Sequence, residues 1–169
     1  MLAGCSQAAP AAPDTYGGLP SFLPTAPATS DGELVGSASH PALTSEGDPV
    51  KVTLPGGGTV RMTVVGPEVP GQGLPHQTPT TTCTWKVTLD HATTAVPITL
   101  RELTTLDQRG TVYPMATVTG QPAPPAVLRP GASSTFEVRT RMRVGEGLFR
   151  WAPGGSKIVA AWDFAVEND

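Results

Sequence analysis

Lysine is scarce in this chain, with 3 in 169 residues, and the 11 basic residues stand against 14 acidic ones for a formal net charge of −3. Such a balance gives no basic footprint of the kind that nucleic-acid binders carry, so nucleic acid is not expected as a partner. Charged residues as a whole are 15% of the chain, against about 25% in ordinary globular proteins. There are two cysteines, Cys5 and Cys83, too few for a disulfide framework. No stretch approaches the 18 to 20 consecutive apolar residues of a spanning helix. Leu, Ile, Val and Phe make up 35 residues, near the floor for a folded chain, so part of the sequence is expected to be tail.

What the chain has in quantity is Gly and Pro, 19 of each, together with 23 Thr and 16 Val. Gly and Pro interrupt long helices, while Thr and Val suit pleated, half-buried strands. Val50, Val52 and Leu54 alternate with Lys51 and Thr53, and Val60, Met62 and Val64 alternate with Arg61 and Thr63. Between them Pro55-Gly56-Gly57-Gly58 supplies a turn. Cys83, Trp85, Val87 and Leu89 share one face of a further strand, which places Cys83 inside. Ile98 to Leu106 and Thr111 to Tyr113 read as strands around a Gly-containing turn, with room for one helical turn among Leu100, Leu103 and Leu106. Leu128-Arg129-Pro130-Gly131 is a type II turn candidate. Phe136, Val138, Thr140 and Met142 define one late strand face, and Ile158, Ala160, Trp162, Phe164 and Val166 another. Pro-rich loops are expected at Gly66 to Pro79 and Pro114 to Val127. The pattern predicts an all-β fold, an immunoglobulin-like antiparallel β-sandwich of about seven or eight strands over residues 32–169.

Residues 1–31 read differently. Leu2-Ala3-Gly4-Cys5 resembles the lipobox of bacterial lipoproteins, in which the Cys is diacylated and becomes the mature N-terminus. The basic and apolar leader that precedes such a box does not stand in this sequence, so either it has been removed or four common residues match by accident. Ser6 to Ser30 holds 11 Ala and Pro in 25 residues, which predicts a disordered, semi-extended tether of the kind a lipid-anchored domain needs. The expected location is extracytoplasmic, with membrane contact through acylated Cys5.

Four segments carry a family resemblance: Cys83-Thr84-Trp85-Lys86-Val87-Thr88-Leu89, Leu106-Asp107-Gln108-Arg109-Gly110-Thr111-Val112-Tyr113, Leu128-Arg129-Pro130-Gly131 and Phe136-Glu137-Val138. Over roughly Val50 to Val166 the chain resembles the immunoglobulin-like sandwich of the mycobacterial secreted immunogenic antigens and of many Gram-positive lipoprotein domains. The resemblance implies an extracytoplasmic, immunogenic, non-enzymatic module, and offers no catalytic residues to transfer. The two long Pro-rich loops and Val96-Pro97 depart from that pattern.

The chemistry-bearing residues are few. The histidines are His40, His76 and His91, and His91 follows Asp90, although neighbours on a strand normally point apart. No Gly-x-Ser-x-Gly elbow, Cys-x-x-Cys or His-x-x-x-His spacing occurs, and Cys83 has no His and Met just downstream as a blue-copper site requires. Neither catalysis, nor a metal, nor another cofactor is therefore expected. Arg139, Arg141 and Arg143 fall at period two, with Arg150 and Trp151 placed beside them as an exposed extension, while Trp85 and Trp162 belong to the core. This basic patch is the candidate binding surface for an envelope protein, glycan or lipid. The plainer reading is a solvated strand face whose charges pair with Glu137, Glu102 or Glu146. The leading expectation is a non-catalytic cell-envelope lipoprotein acting as an interaction module. Its alternatives are a carrier of an apolar ligand held between the sheets and a small envelope hydrolase.

Overall fold

The computed structural model describes residues 32–71, 78–155 and 157–166. Among the described residues thirteen strands and one 3-10 turn follow one another: β1 Leu34–Gly36, β2 Ala42–Ser45, β3 Pro49–Thr53, β4 Thr59–Glu68, β5 Thr80–Asp90, β6 Val96–Pro97, the 3-10 turn Leu100–Glu102, β7 Leu103–Asp107, β8 Val112–Pro114, β9 Ala116–Thr117, β10 Val127–Leu128, β11 Ser134–Arg143, β12 Gly145–Trp151 and β13 Ala160–Val166. The strands of five or more residues are seven, namely β3, β4, β5, β7, β11, β12 and β13. They build the expected sandwich. One sheet has the order β1-β3-β4-β5-β11-β9, the other β2-β13-β12-β7-β8, and β6 with β10 forms a separate ribbon.

Among the described residues two pairings are parallel, β1 with β3 and β2 with β13, and the others are antiparallel. Both arise because the chain crosses from one sheet to the other between Gly36 and Ala42. A Cβ on Gly36 would stand 2.2 Å from the Val159 carbonyl oxygen, so the crossing requires a residue without a side chain.

Alternation decides which face of each strand is buried. Val50, Val52, Val60, Met62, Val64, Cys83, Trp85, Val87 and Leu89 form the inner face of β3, β4 and β5 and are essentially solvent-free. From the opposite sheet come Leu103, Phe149, Trp151, Ala160, Trp162, Phe164 and Val166. The sheets meet through aromatic rings: Trp85 lies 5.7 Å from Phe149 and 5.3 Å from Phe164, and Phe149 lies 6.3 Å from Trp162. A carrier's inter-sheet cavity would have to fall where these rings already pack. The turn at Pro130-Gly131 closes as anticipated, with the Ala132 amide donating to the Arg129 carbonyl at 3.0 Å and Gly131 at φ +71°.

The structure corrects one placement outright. Gly145–Trp151 is a strand, and Trp151 is 1% exposed on its inner face, opposite Leu103. Arg150 points the other way, half-buried on the outer face of the second sheet. The arginines of β11 belong to the first sheet, so neither Arg150 nor Trp151 extends their patch.

Candidate functional site: a basic strand and its terminal cleft

Strand β11 buries Phe136, Val138 and Met142, and the same alternation turns Arg139, Arg141 and Arg143 out to solvent. Two residues along a strand rise about 7 Å, which sets the spacing of the guanidinium stems. Each arginine stands opposite a threonine of β5: Arg139 faces Thr84, Arg141 faces Thr82 and Arg143 faces Thr80. A guanidinium N–H of Arg141 donates diagonally to the Thr80 hydroxyl at 3.0 Å. Strand β9 pairs with β11 only at Val138 and Arg139, so the edge from Thr140 to Arg143 has no strand on that side among the described residues.

Among the described residues none of these three arginines forms an ion pair. Among the described residues the carboxylates that a plain solvated face would use form no ion pair with the stripe. Glu137 faces Lys86, Glu102 is buried at the start of β7, and Glu146 lies on the second sheet. Arg61 does have a partner: its Nε and a terminal nitrogen donate to the two carboxylate oxygens of Asp90 at 2.8 and 3.0 Å.

At its far end the stripe opens into a cleft of about 420 Å³ lined by Arg143, Arg109, Asp107, Gln108, Thr80, Pro79 and Val144, in which the Asp107 carboxylate is occupied by donors of its own turn and strand β8. Arg109 comes from the β7–β8 turn, so the two sheets each contribute a guanidinium. Asp107 builds that turn. Its Oδ1 accepts the amides of Arg109 and Thr111, each at 2.9 Å, and its Oδ2 accepts the Tyr113 hydroxyl at 2.9 Å. Burial pushes this carboxyl up, but the hydrogen bonds from Thr111, Tyr113 and Arg109 outweigh burial and hold it below the usual range. The motif Asp107-Gln108-Arg109-Gly110-Thr111-Val112-Tyr113 is thus a structural latch that presents Arg109. Sequence reasoning singled out the motif but not Arg109 as a site residue, because only the packing of the two sheets brings it to Arg143.

The other singled-out residues fall as follows. Arg150 donates to the Thr104 hydroxyl at 3.2 Å, and burial lowers its pKa. His91 lies at φ +52°, a left-handed conformation that lets its Nδ1 come within 2.8 Å of Asp90 Oδ1, so these neighbours do not point apart. Asp90 is already clasped by Arg61, which with His91 keeps its pKa low, and among the described residues no hydroxyl or thiol hydrogen-bonds to His91. The His40 ring lies 3.1 Å from the adjacent Ser39 hydroxyl, and its backbone amide donates to the Ser37 hydroxyl at 3.1 Å. Cys83 is fully buried, and burial pushes its thiol up to about 12. Among the described residues no three His, Cys, Asp or Glu side chains gather to hold a metal ion. Cys5 and His76 lie outside the described residues.

No family model matches the chain, and no curated protein matches it in sequence. Among solved structures it is similar to MPT63, a secreted protein from Mycobacterium tuberculosis, with a TM-score of 0.51 and 14% identity over 75% of this chain and 99% of that one. At that identity the likeness establishes a distant relation in fold, a shared all-β sandwich.

Proposed function

We propose that this protein is a non-catalytic module of the cell envelope that binds an anionic group on an envelope protein, glycan or lipid. The observation that carries this reading is the outward stripe Arg139, Arg141 and Arg143, which among the described residues makes no ion pair and ends in a cleft shared with Arg109. Unpaired guanidiniums at fixed spacing beside threonine hydroxyls suit phosphate, sulfate or carboxylate, because guanidinium donates two parallel hydrogen bonds to such groups. The Leu2-Ala3-Gly4-Cys5 motif and the fold shared with a secreted protein support an extracytoplasmic place, with acylated Cys5 as the anchor.

Two measurements test the reading. The full chain is titrated with vesicles containing phosphatidylglycerol and with a sulfated glycan at low and physiological salt. Binding to at least one of them should weaken as salt rises and fall about tenfold or more in the triple variant R139S/R141S/R143S. Unaltered affinity and salt dependence in that variant would place the interaction surface elsewhere. For anchoring, the protein is expressed in a bacterium behind a lipoprotein leader. It should enter the detergent phase and Cys5→Ser should release it, whereas an unmodified Cys5 by mass spectrometry refutes the anchor.

A further inference from the structure

The opposite end of β7 holds a second cleft with the reverse chemistry. Its volume is about 350 Å³, at the small end of ligand sites. Its walls are the β3–β4 turn with Leu54 and Pro55, strand β6 with Val96 and Pro97, and Pro153 of the β12–β13 connection, with Glu102 among the lining residues. Glu102 is 8% exposed. Its backbone is held at both ends: the amide donates to the Thr99 carbonyl at 3.1 Å, and the carbonyl accepts the Ala152 amide at 2.9 Å. One carboxylate oxygen, Oε1, accepts the Gly154 amide at 3.1 Å, while the other, Oε2, is shielded and has no hydrogen-bond partner. Among the described residues no Lys, Arg or His forms an ion pair with it.

A buried carboxylate with an unmatched oxygen is costly, and the group that relieves the cost is a donor, preferably a charged one. We infer that this cleft binds a small organic cation, a primary ammonium carried on an apolar body. The ammonium donates to Glu102, and the body packs on Leu54, Val96 and the proline rings. An anion is disfavoured here by the same carboxylate. This site is independent of the arginine stripe, since different turns build it and it selects the opposite charge.

Benzylammonium is the probe, with benzyl alcohol as its neutral counterpart. In amide-resolved NMR of the full chain, benzylammonium should shift resonances of Leu54, Gly56, Gly57, Thr94, Ala95, Val96, Glu102 and Gly154 in a saturable way. Benzyl alcohol should bind about tenfold more weakly. Glu102→Gln keeps an acceptor for the Gly154 amide but removes the charge, and should abolish the preference for the amine. Ala95→Trp places bulk at an exposed lining residue and should block binding without touching the core. Should Glu102→Gln fail to fold, Ala95→Trp and the neutral probe decide the matter. The inference is overturned by equal binding of the two probes, by undiminished amine affinity in Glu102→Gln or Ala95→Trp, or by shifts located elsewhere.

Discussion

Among the described residues Asp107 and Glu102 are the two buried acidic ones; Glu102 immediately precedes β7 and Asp107 ends it, five residues on. Their exposures are close, 2% and 8%, but their surroundings are not. Asp107 receives three donors from its own turn, and both of its oxygens are occupied. The Glu102 carboxylate receives one donor, the Gly154 backbone amide, and its second oxygen is left over. The difference separates structure from function. A carboxylate saturated by local amides holds a turn, and here the turn carries Arg109 to Arg143. A carboxylate left partly unsatisfied beneath apolar walls is a group held ready for a molecule from outside. The two proposals thus assign anions to one end of the domain and cations to the other.

Four measurements would break or sharpen this contrast. The largest effect is expected from Asp107→Asn, because a single carbonyl oxygen replaces two acceptors and at least one donor then faces an amide N–H₂. The thermal midpoint should fall by about 5 °C or more, while Glu102→Gln should cost less than half as much. Equal losses would make Glu102 a structural residue like Asp107 and end the comparison. Next comes acid. The folded pKa values of Asp107 and Asp90 lie below the ordinary one, so their contribution is complete above an unfolded value of about 4 and vanishes as pH falls through the folded values. Urea midpoints should therefore drop below about pH 4, less steeply in Asp107→Asn. A slope unchanged by that variant would assign the acid sensitivity to other carboxyls.

The third measurement concerns the core between the two ends. With the Cys83 thiol pushed to about 12, the unfolded chain ionises first as pH rises above the ordinary value of 9.0, so stability should decline between those limits. At neutral pH a thiol reagent should label Cys83 only as fast as the domain opens. Rapid labelling without denaturant would mean that the inner face of β5 is accessible. The smallest stability effect belongs to R139S/R141S/R143S, whose net change should stay within about 0.5 kcal/mol because exposed charges, here with one surface hydrogen bond from Arg141 to Thr80, hold little of the fold together. Unfolding of that variant would show the stripe to be structural.

Several of these features could be read before any coordinates. Strict alternation marked the faces of β3, β4, β5, β11 and β13, and with them the burial of Cys83, Trp85 and Trp162. The outward position of Arg139, Arg141 and Arg143 followed from the same period of two. Strand β12 was not legible, because Gly145 and Gly147 stand where apolar side chains would have marked the inner face. Gly147 is there for a tertiary reason: a Cβ on it would come 2.5 Å from the ring of Phe164, its neighbour on β13. Without that strand Trp151 looked like a surface aromatic.

Local rules act over two to four residues, and that range sufficed for strand faces, the Pro130-Gly131 turn and the lack of helix-length amphipathic runs. Which charges go unpaired is a long-range matter. Glu102 lies 37 residues before Arg139 in the chain and faces another end of another sheet. Arg109 and Arg143 meet only because β7 and β11 end on the same side of the sandwich. The pleat, with its period of two, is written residue by residue, whereas the meeting of distant turns depends on how two sheets stack. The sequence by itself therefore determined a sandwich with a basic strand face, and the tertiary structure alone decided that Arg109 joins Arg143 at one cleft and that Glu102 lines another.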